Sequence, residues 1–142
     1  GVNVALGTDG AASNNSTDML ETMKLAALMQ KGIHRDSAII TAGQVVEMAT
    51  RGGARAIGME DQLGVLAAGM KADMILFDPG HLKSCPNHDP EATIVYASSE
   101  ENIDTSIVNG RIVYRKGSFA SGVTEKELVQ EVAAEVEKMA FT

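Results

Sequence analysis

The run Val2-Asn3-Val4-Ala5-Leu6, followed by Gly7-Thr8-Asp9-Gly10-Ala11-Ala12-Ser13-Asn14-Asn15, decides the fold class. Its first five residues are apolar-rich, with β-branched valines at 2 and 4, and predict a short buried strand. The next nine are small or polar and predict a loop. Asp18 with Glu21 is read as a capping box that opens a helix. Leu20, Met23, Ala27 and Met29 then recur at helical spacing, and Gly32 is expected to end that helix as its C′ residue. Strand, small-residue loop and helix in that order read as the last βα unit of a parallel α/β structure. Chemistry in such folds sits at the C-terminal ends of the strands. A buried strand needs neighbours on both sides, so a chain that opens on one, at Gly1 rather than a methionine, is expected to be a piece of a longer protein.

Outward from that unit, Thr41 and Gln44 form a second capping box, and Val45, Val46, Met48 and Ala49 continue its helix. Gly52-Gly53 is expected to interrupt this helix, and Ala54 to Ile57 to form a short helical turn closed by Gly58. From Leu63 the character changes. Gly64 to Leu66, Asp73 to Asp78, Thr93 to Ala97, Ile103 to Val108 and Arg111 to Tyr114 read as strands, with Ser84 to Pro90 as a polar loop. Asn109-Gly110 is the strongest hairpin signal, because both residues tolerate the positive φ of a type I′ turn. Thr124 and Glu127 form a third capping box. The helix after it carries Leu128, Val132 and Val136 on one face and glutamates on the other. The chain therefore divides into residues 1–61, 62–118 and 119–142.

At 142 residues, with 44% hydrophobic and 22% charged side chains, the composition is that of a globular domain with a real core rather than a disordered segment. No apolar run approaches the roughly 20 residues that span a bilayer. The single cysteine, Cys85, leaves no internal disulfide to form, which fits a reducing, cytoplasmic compartment. A net charge of −7 with no Lys/Arg cluster argues against nucleic acid as a partner. Unpaired strand edges and the last helix leave self-association open.

Asp9 lies just past the first strand, where a carboxylate can hold a metal or exchange protons with a water. A turn- or helix-capping role explains its position equally well. His34, His81 and His88 show none of the spacings of a metal pair, and each reads as a surface histidine. Gly7 to Gly10 is no Walker loop, since no Gly-Lys-Ser/Thr follows, and Ser13 sits in no nucleophile elbow.

The run Leu6 to Asn15 resembles the eighth-strand motif of the amidohydrolase superfamily, and more narrowly that of the methylthioadenosine/S-adenosylhomocysteine deaminases, with triazine chlorohydrolases as relatives. Met23 to Leu28 with Lys31, Ala49-Thr50 with Gly53-Ala54-Arg55-Ala56 and Gly58, Leu63-Gly64 through Ile75-Leu76, and Val108 to Arg111 resemble that group's following segments in order. The resemblance implies an α/β fold: the last strand and helices of a (β/α)8 barrel, followed by part of a β-sandwich and a C-terminal helix. It implies a divalent metal, usually zinc, held by histidines of earlier strands and by an aspartate that Asp9 matches. In that setting Asp9 is both metal ligand and catalytic proton shuttle in the deamination of a purine nucleoside. Ser13 and Asn14 fall in the active-site loop as candidate substrate-binding residues, with loop-shaping as the alternative. The histidine ligands of this pattern would precede Gly1, so the chain alone is expected to be inactive. A related triazine hydrolase, or a stand-alone binding or assembly module without catalysis, are the competing readings.

Overall fold

A computed structural model describes residues 1–140. The first half is helical: α1 (Ala11–Asn14), α2 (Met19–His34), α3 (Ala42–Ala49) and α4 (Arg51–Ala56). The second half holds β1 (Met74–Phe77), α5 (Pro90–Tyr96), β2 (Ile103–Val108), β3 (Arg111–Arg115) and β4 (Ser118–Phe119), and α6 (Glu125–Ala140) closes it. The strands form one antiparallel sheet in the order β1-β2-β3-β4, with irregular register at Leu76/Phe77 and at Ser106/Ile107. No helix among the described residues is long and apolar enough to cross a membrane.

Local chemistry explains most boundaries. Thr41 Oγ1 accepts from Gln44 N at 3.2 Å and Gln44 Oε1 accepts from Thr41 N at 2.8 Å, so the expected box starts α3. The box at Thr124 and Glu127 forms in the same way. Asn109 and Gly110 take φ of 49° and 76°, and the β2–β3 hairpin turns on them.

Six expectations are corrected. Val2 to Leu6 is extended but pairs in no sheet among the described residues; it lies instead on α3 and α4, with Leu6 N donating to Met48 O at 3.2 Å. The α2 cap rests on Asp18 Oδ1, which accepts from Leu20 N at 2.7 Å, and α2 runs through Gly32 to His34. Arg35, at φ 50°, ends it in a Schellman arrangement, with Asp36 N donating to Lys31 O. The break between α3 and α4 falls at Thr50, one residue before the Arg51 start of α4, and Gly52-Gly53 lies inside α4. Gly64 to Leu66 is no strand, because Gly64 takes φ +91° where a Cβ would meet Ala54 and Arg51 within 3.0 Å. Thr93 to Ala97 is helical rather than extended. Asp89 caps α5 by accepting from Ala92 N at 3.1 Å, and Pro90 presets the first turn, so the cap overrides the β-branched run.

That last helix completes the core. Leu20, Met23 and Ala27 of α2, Val45 of α3 and Val95 of α5 form one buried cluster, against which Leu6, Ile40 and Val46 pack. Ala27 and Val45 are fully buried, so the two helices meet at close range. Beside this cluster sits a buried polar junction. Asn102 donates to Asp78 O at 2.8 Å and to Ser84 Oγ at 2.9 Å, and its own side-chain oxygen accepts from Ser99 N at 3.0 Å. Ser84 in turn donates to Ala97 O at 2.8 Å. The amphipathic helix α6 forms as expected, but Val129, Val132 and Val136 on it remain exposed.

Two outcomes follow. Asn102→Ala leaves the Asp78 carbonyl without its donor and the Ser99 N–H without its acceptor in a part-buried junction, and urea unfolding should show a loss of about 1–3 kcal/mol. At Asp104, the Thr105 hydroxyl donating at 2.7 Å holds the carboxyl below the ordinary carboxylate range; partial burial opposes this, and Lys116 at 3.3 Å adds to it. A lowered folded-state pKa means stability that is present above the ordinary value and lost as pH falls through the lowered one. Carboxyl NMR titration should therefore place Asp104 below its unfolded value, and Thr105→Val should move it back up.

Candidate active site

Asp9 ends the extended segment that crosses α3 and α4. Asn3 Nδ2 donates to Gly52 O at 3.1 Å, and a Cβ on Gly52 would lie 2.7 Å from Val4 O. Only glycine lets the segment come this close to α4. Leu6 then anchors into the core edge, and the chain emerges as the loop from Gly7.

Asp9 takes φ +60°, a left-handed conformation that costs a non-glycine residue about 1 kcal/mol and that aspartate tolerates better than most. Three sets of hydrogen bonds hold it there. Asp9 Oδ1 accepts from Gly10 N at 2.7 Å. Gly10 O accepts from Ser13 N at 2.9 Å and Asn14 N at 3.0 Å, which winds the chain into α1. Asn14 Nδ2 then donates to Thr8 O at 2.8 Å and to Ser16 O at 3.2 Å. Bonds of this kind contribute about 1 kcal/mol each, enough to offset the strained backbone. The result is an exposed carboxylate with one oxygen fixed by its own turn and Oδ2 without a partner among the described residues.

Sequence reading placed Asp9, Ser13 and Asn14 together, and the loop does gather them. The two smaller residues differ in use. Asn14 spends its amide on the loop's own carbonyls, whereas Ser13 is exposed on the first turn of α1. Thr8 was passed over, although its carbonyl is the acceptor that closes the loop and its hydroxyl donates to Asp9 O at 3.2 Å. No residue spacing could reveal it, because the bond depends on how the chain folds back.

The histidines lie on other elements. His34 lies in the last turn of α2, and His81 and His88 flank the 3-10 turn at Leu82–Ser84. Among the described residues no three His, Cys, Asp or Glu side chains converge as a metal site. The donor set thus fits one carboxylate ligand from Asp9 and no more. Clefts among the described residues lie elsewhere. One of about 340 Å³ lies against Val2, Val4 and Arg55, and one of about 1180 Å³ runs between α2 and the β1–β2 face, past Lys24, Met74 and Val108. Asp9 lines neither, so a substrate pocket around it needs further walls.

Comparison with known proteins places this arrangement. The chain is 44% identical over 138 residues to a 5-methylthioadenosine/S-adenosylhomocysteine deaminase of Acetivibrio thermocellus, covering 96% of this chain and 32% of the relative. It is 42% identical over 137 residues to an S-triazine hydrolase of Gordonia rubripertincta, covering 95% of this chain and 29% of that one. In structure it is similar to a zinc-bound adenosine deaminase of Xanthomonas campestris, with a TM-score of 0.93 at 28% identity, over 99% of this chain and 32% of the other. An atrazine chlorohydrolase of Arthrobacter aurescens complexed with zinc superposes with a TM-score of 0.83 at 27% identity, over 93% of this chain and 29% of that one. The chain spans about a third of the length of the curated relatives it matches. Residues 1–113, from the extended segment through the Asp9 loop to β3, match the Amidohydrolase family, and the chain belongs to that family.

Proposed function

We propose that this chain is part of a metal-dependent hydrolase that deaminates an adenine-type nucleoside of the methylthioadenosine or S-adenosylhomocysteine kind. One observation carries the reading: Asp9 stands at the end of an extended segment with one carboxylate oxygen pinned and the other open. The deaminase relatives, and the zinc in the adenosine deaminase structure, support it. In the same reading, residues 1–61 complete a (β/α)8 barrel, 62–118 contribute to a β-sandwich, and 119–142 form a terminal helix. The remaining ligands and the substrate walls come from the rest of the enzyme, and the chain alone is inactive.

The net reaction adds water at the amine-bearing ring carbon and releases ammonia. A bound divalent metal would supply a water acidic enough to lose its proton near neutral pH. Asp9 would give that metal one ligand through Oδ2. Its carboxylate would also serve as the base for that water, accepting a proton and returning it to the departing nitrogen. Ser13 and Asn14 are both exposed on the same loop, which supports Ser13 as a substrate contact in this reading. The substrate is a small molecule; the acidic surface does not suit nucleic acid. Free, exposed Cys85 supports a reducing, cytoplasmic location.

The triazine hydrolase relative, nearly as similar as the deaminases, supports the same machinery acting on a chloro- or amino-triazine. A non-catalytic module is the weaker reading, since the family match includes the whole Asp9 loop.

In the full-length enzyme, Asp9→Asn should lower deamination of methylthioadenosine by at least 10²–10⁴-fold, the range for a lost acid–base group, with the fold intact by circular dichroism. Ammonia release measured alongside chloride release from a chlorotriazine separates the two substrate classes. Undiminished turnover in the Asn variant would remove Asp9 from the mechanism.

A further inference from the structure

We infer that Asn14 is a positioning residue for Asp9 rather than a substrate contact; this rests on the reading of Asp9 as a metal ligand. Both donor bonds of its side-chain amide go to backbone carbonyls, Thr8 O at 2.8 Å and Ser16 O at 3.2 Å. The first of these fixes the peptide plane between Thr8 and Asp9. That plane sets φ of Asp9, which lies at +60°, where even an aspartate rests at a cost. The second ties the far end of the loop to the same amide. Asn14 therefore spans the loop from the residue before the carboxylate to the residue beyond α1.

The backbone works with it. Gly10 O takes Ser13 N and Asn14 N, which brings the Asn14 side chain back across six residues to Thr8. Gly10 N on Asp9 Oδ1, at 2.7 Å, fixes the rotation of the carboxylate. Asn14 sets where the Asp9 backbone lies, and Gly10 sets how its carboxylate turns. An isosteric aspartate at 14 keeps the shape but has no donors, and it sets a charge against two carbonyl oxygens.

The loop is exposed and contributes nothing to the buried cluster, so its loss need not unfold the protein. Groups that orient a metal ligand typically change metal affinity or activity by 10–100-fold. In the full-length enzyme, Asn14→Ala should weaken zinc binding by about that factor, read by chelator competition on the apo-protein without any turnover assay. It should lower kcat by a similar factor and leave KM for methylthioadenosine unchanged. Asn14→Asp should do the same or worse, and it replaces the alanine variant should that one fail to fold. Asp9→Asn is measured beside them. Zinc affinity that falls in Asp9→Asn but not in the Asn14 variants overturns the positioning role alone. So does a raised KM with zinc affinity intact, the signature of a substrate contact. Zinc affinity unmoved in Asp9→Asn removes Asp9 as a ligand and takes the positioning role with it.

Discussion

The approach of the Val4 carbonyl to Gly52 is the contact on which the site depends. The segment Val2 to Leu6 has no ladder partner among the described residues, so nothing of the usual β-sheet kind holds it. Its place comes from a helix that lacks a side chain where the strand crosses. Any Cβ at position 52 would press on backbone, not on a flexible side-chain end, and the segment would have to lift away. Asn3 on Gly52 O, Leu6 N on Met48 O and Leu6 in the core edge then fix it at three heights along α3 and α4. Asp9 inherits its position from these contacts, because only Gly7 and Thr8 separate it from the anchored Leu6.

A second constraint keeps the helices beneath that segment in place. The core cluster takes α2 and α3 from one half of the sequence and α5 from the other. Val95 can enter it only if α5 is held by what precedes and follows it. Asn102 does this by binding Asp78 O on the end of β1, Ser84 in the turn before α5, and Ser99 after it. A buried amide with all these partners stabilises only because none is missing; a half-satisfied junction of this kind is worse than an apolar one. The sheet and the helices are thereby one packed unit, although the residue patterns change character at Leu63.

Local signals were legible in the sequence, and long-range ones were not. The Thr41–Gln44 box, the Asn109-Gly110 turn and the strands on either side of it are written within a few residues, and they appear as read. Thr93 to Ala97 misled because β-branched residues suggest a strand, while the deciding signal, Asp89-Pro90, lies just upstream and favours a helix start. Gly64 to Leu66 misled because Gly64 is required for packing on α4, a contact with a residue ten positions away. At the candidate site, Asp9 stood out from its place after an apolar run. The work of Thr8 and Asn14 was hidden, since it exists only once the loop has closed.

That closure gives the loop its chemical meaning. A carboxylate on a flexible loop must pay its ordering entropy when a ligand arrives, and its geometry is then whatever the ligand imposes. The left-handed backbone turn at Asp9 is held by bonds that lie within residues 8 to 16. A local device of this kind is independent of the pocket's other walls. Under the proposed function it would present the same oxygen to a purine or to a triazine. This is consistent with the likeness of the chain to deaminases and triazine hydrolases at nearly equal identity. In that reading, discrimination between such substrates would reside in other side chains, those that face the ring, while the Asp9 loop stays the same.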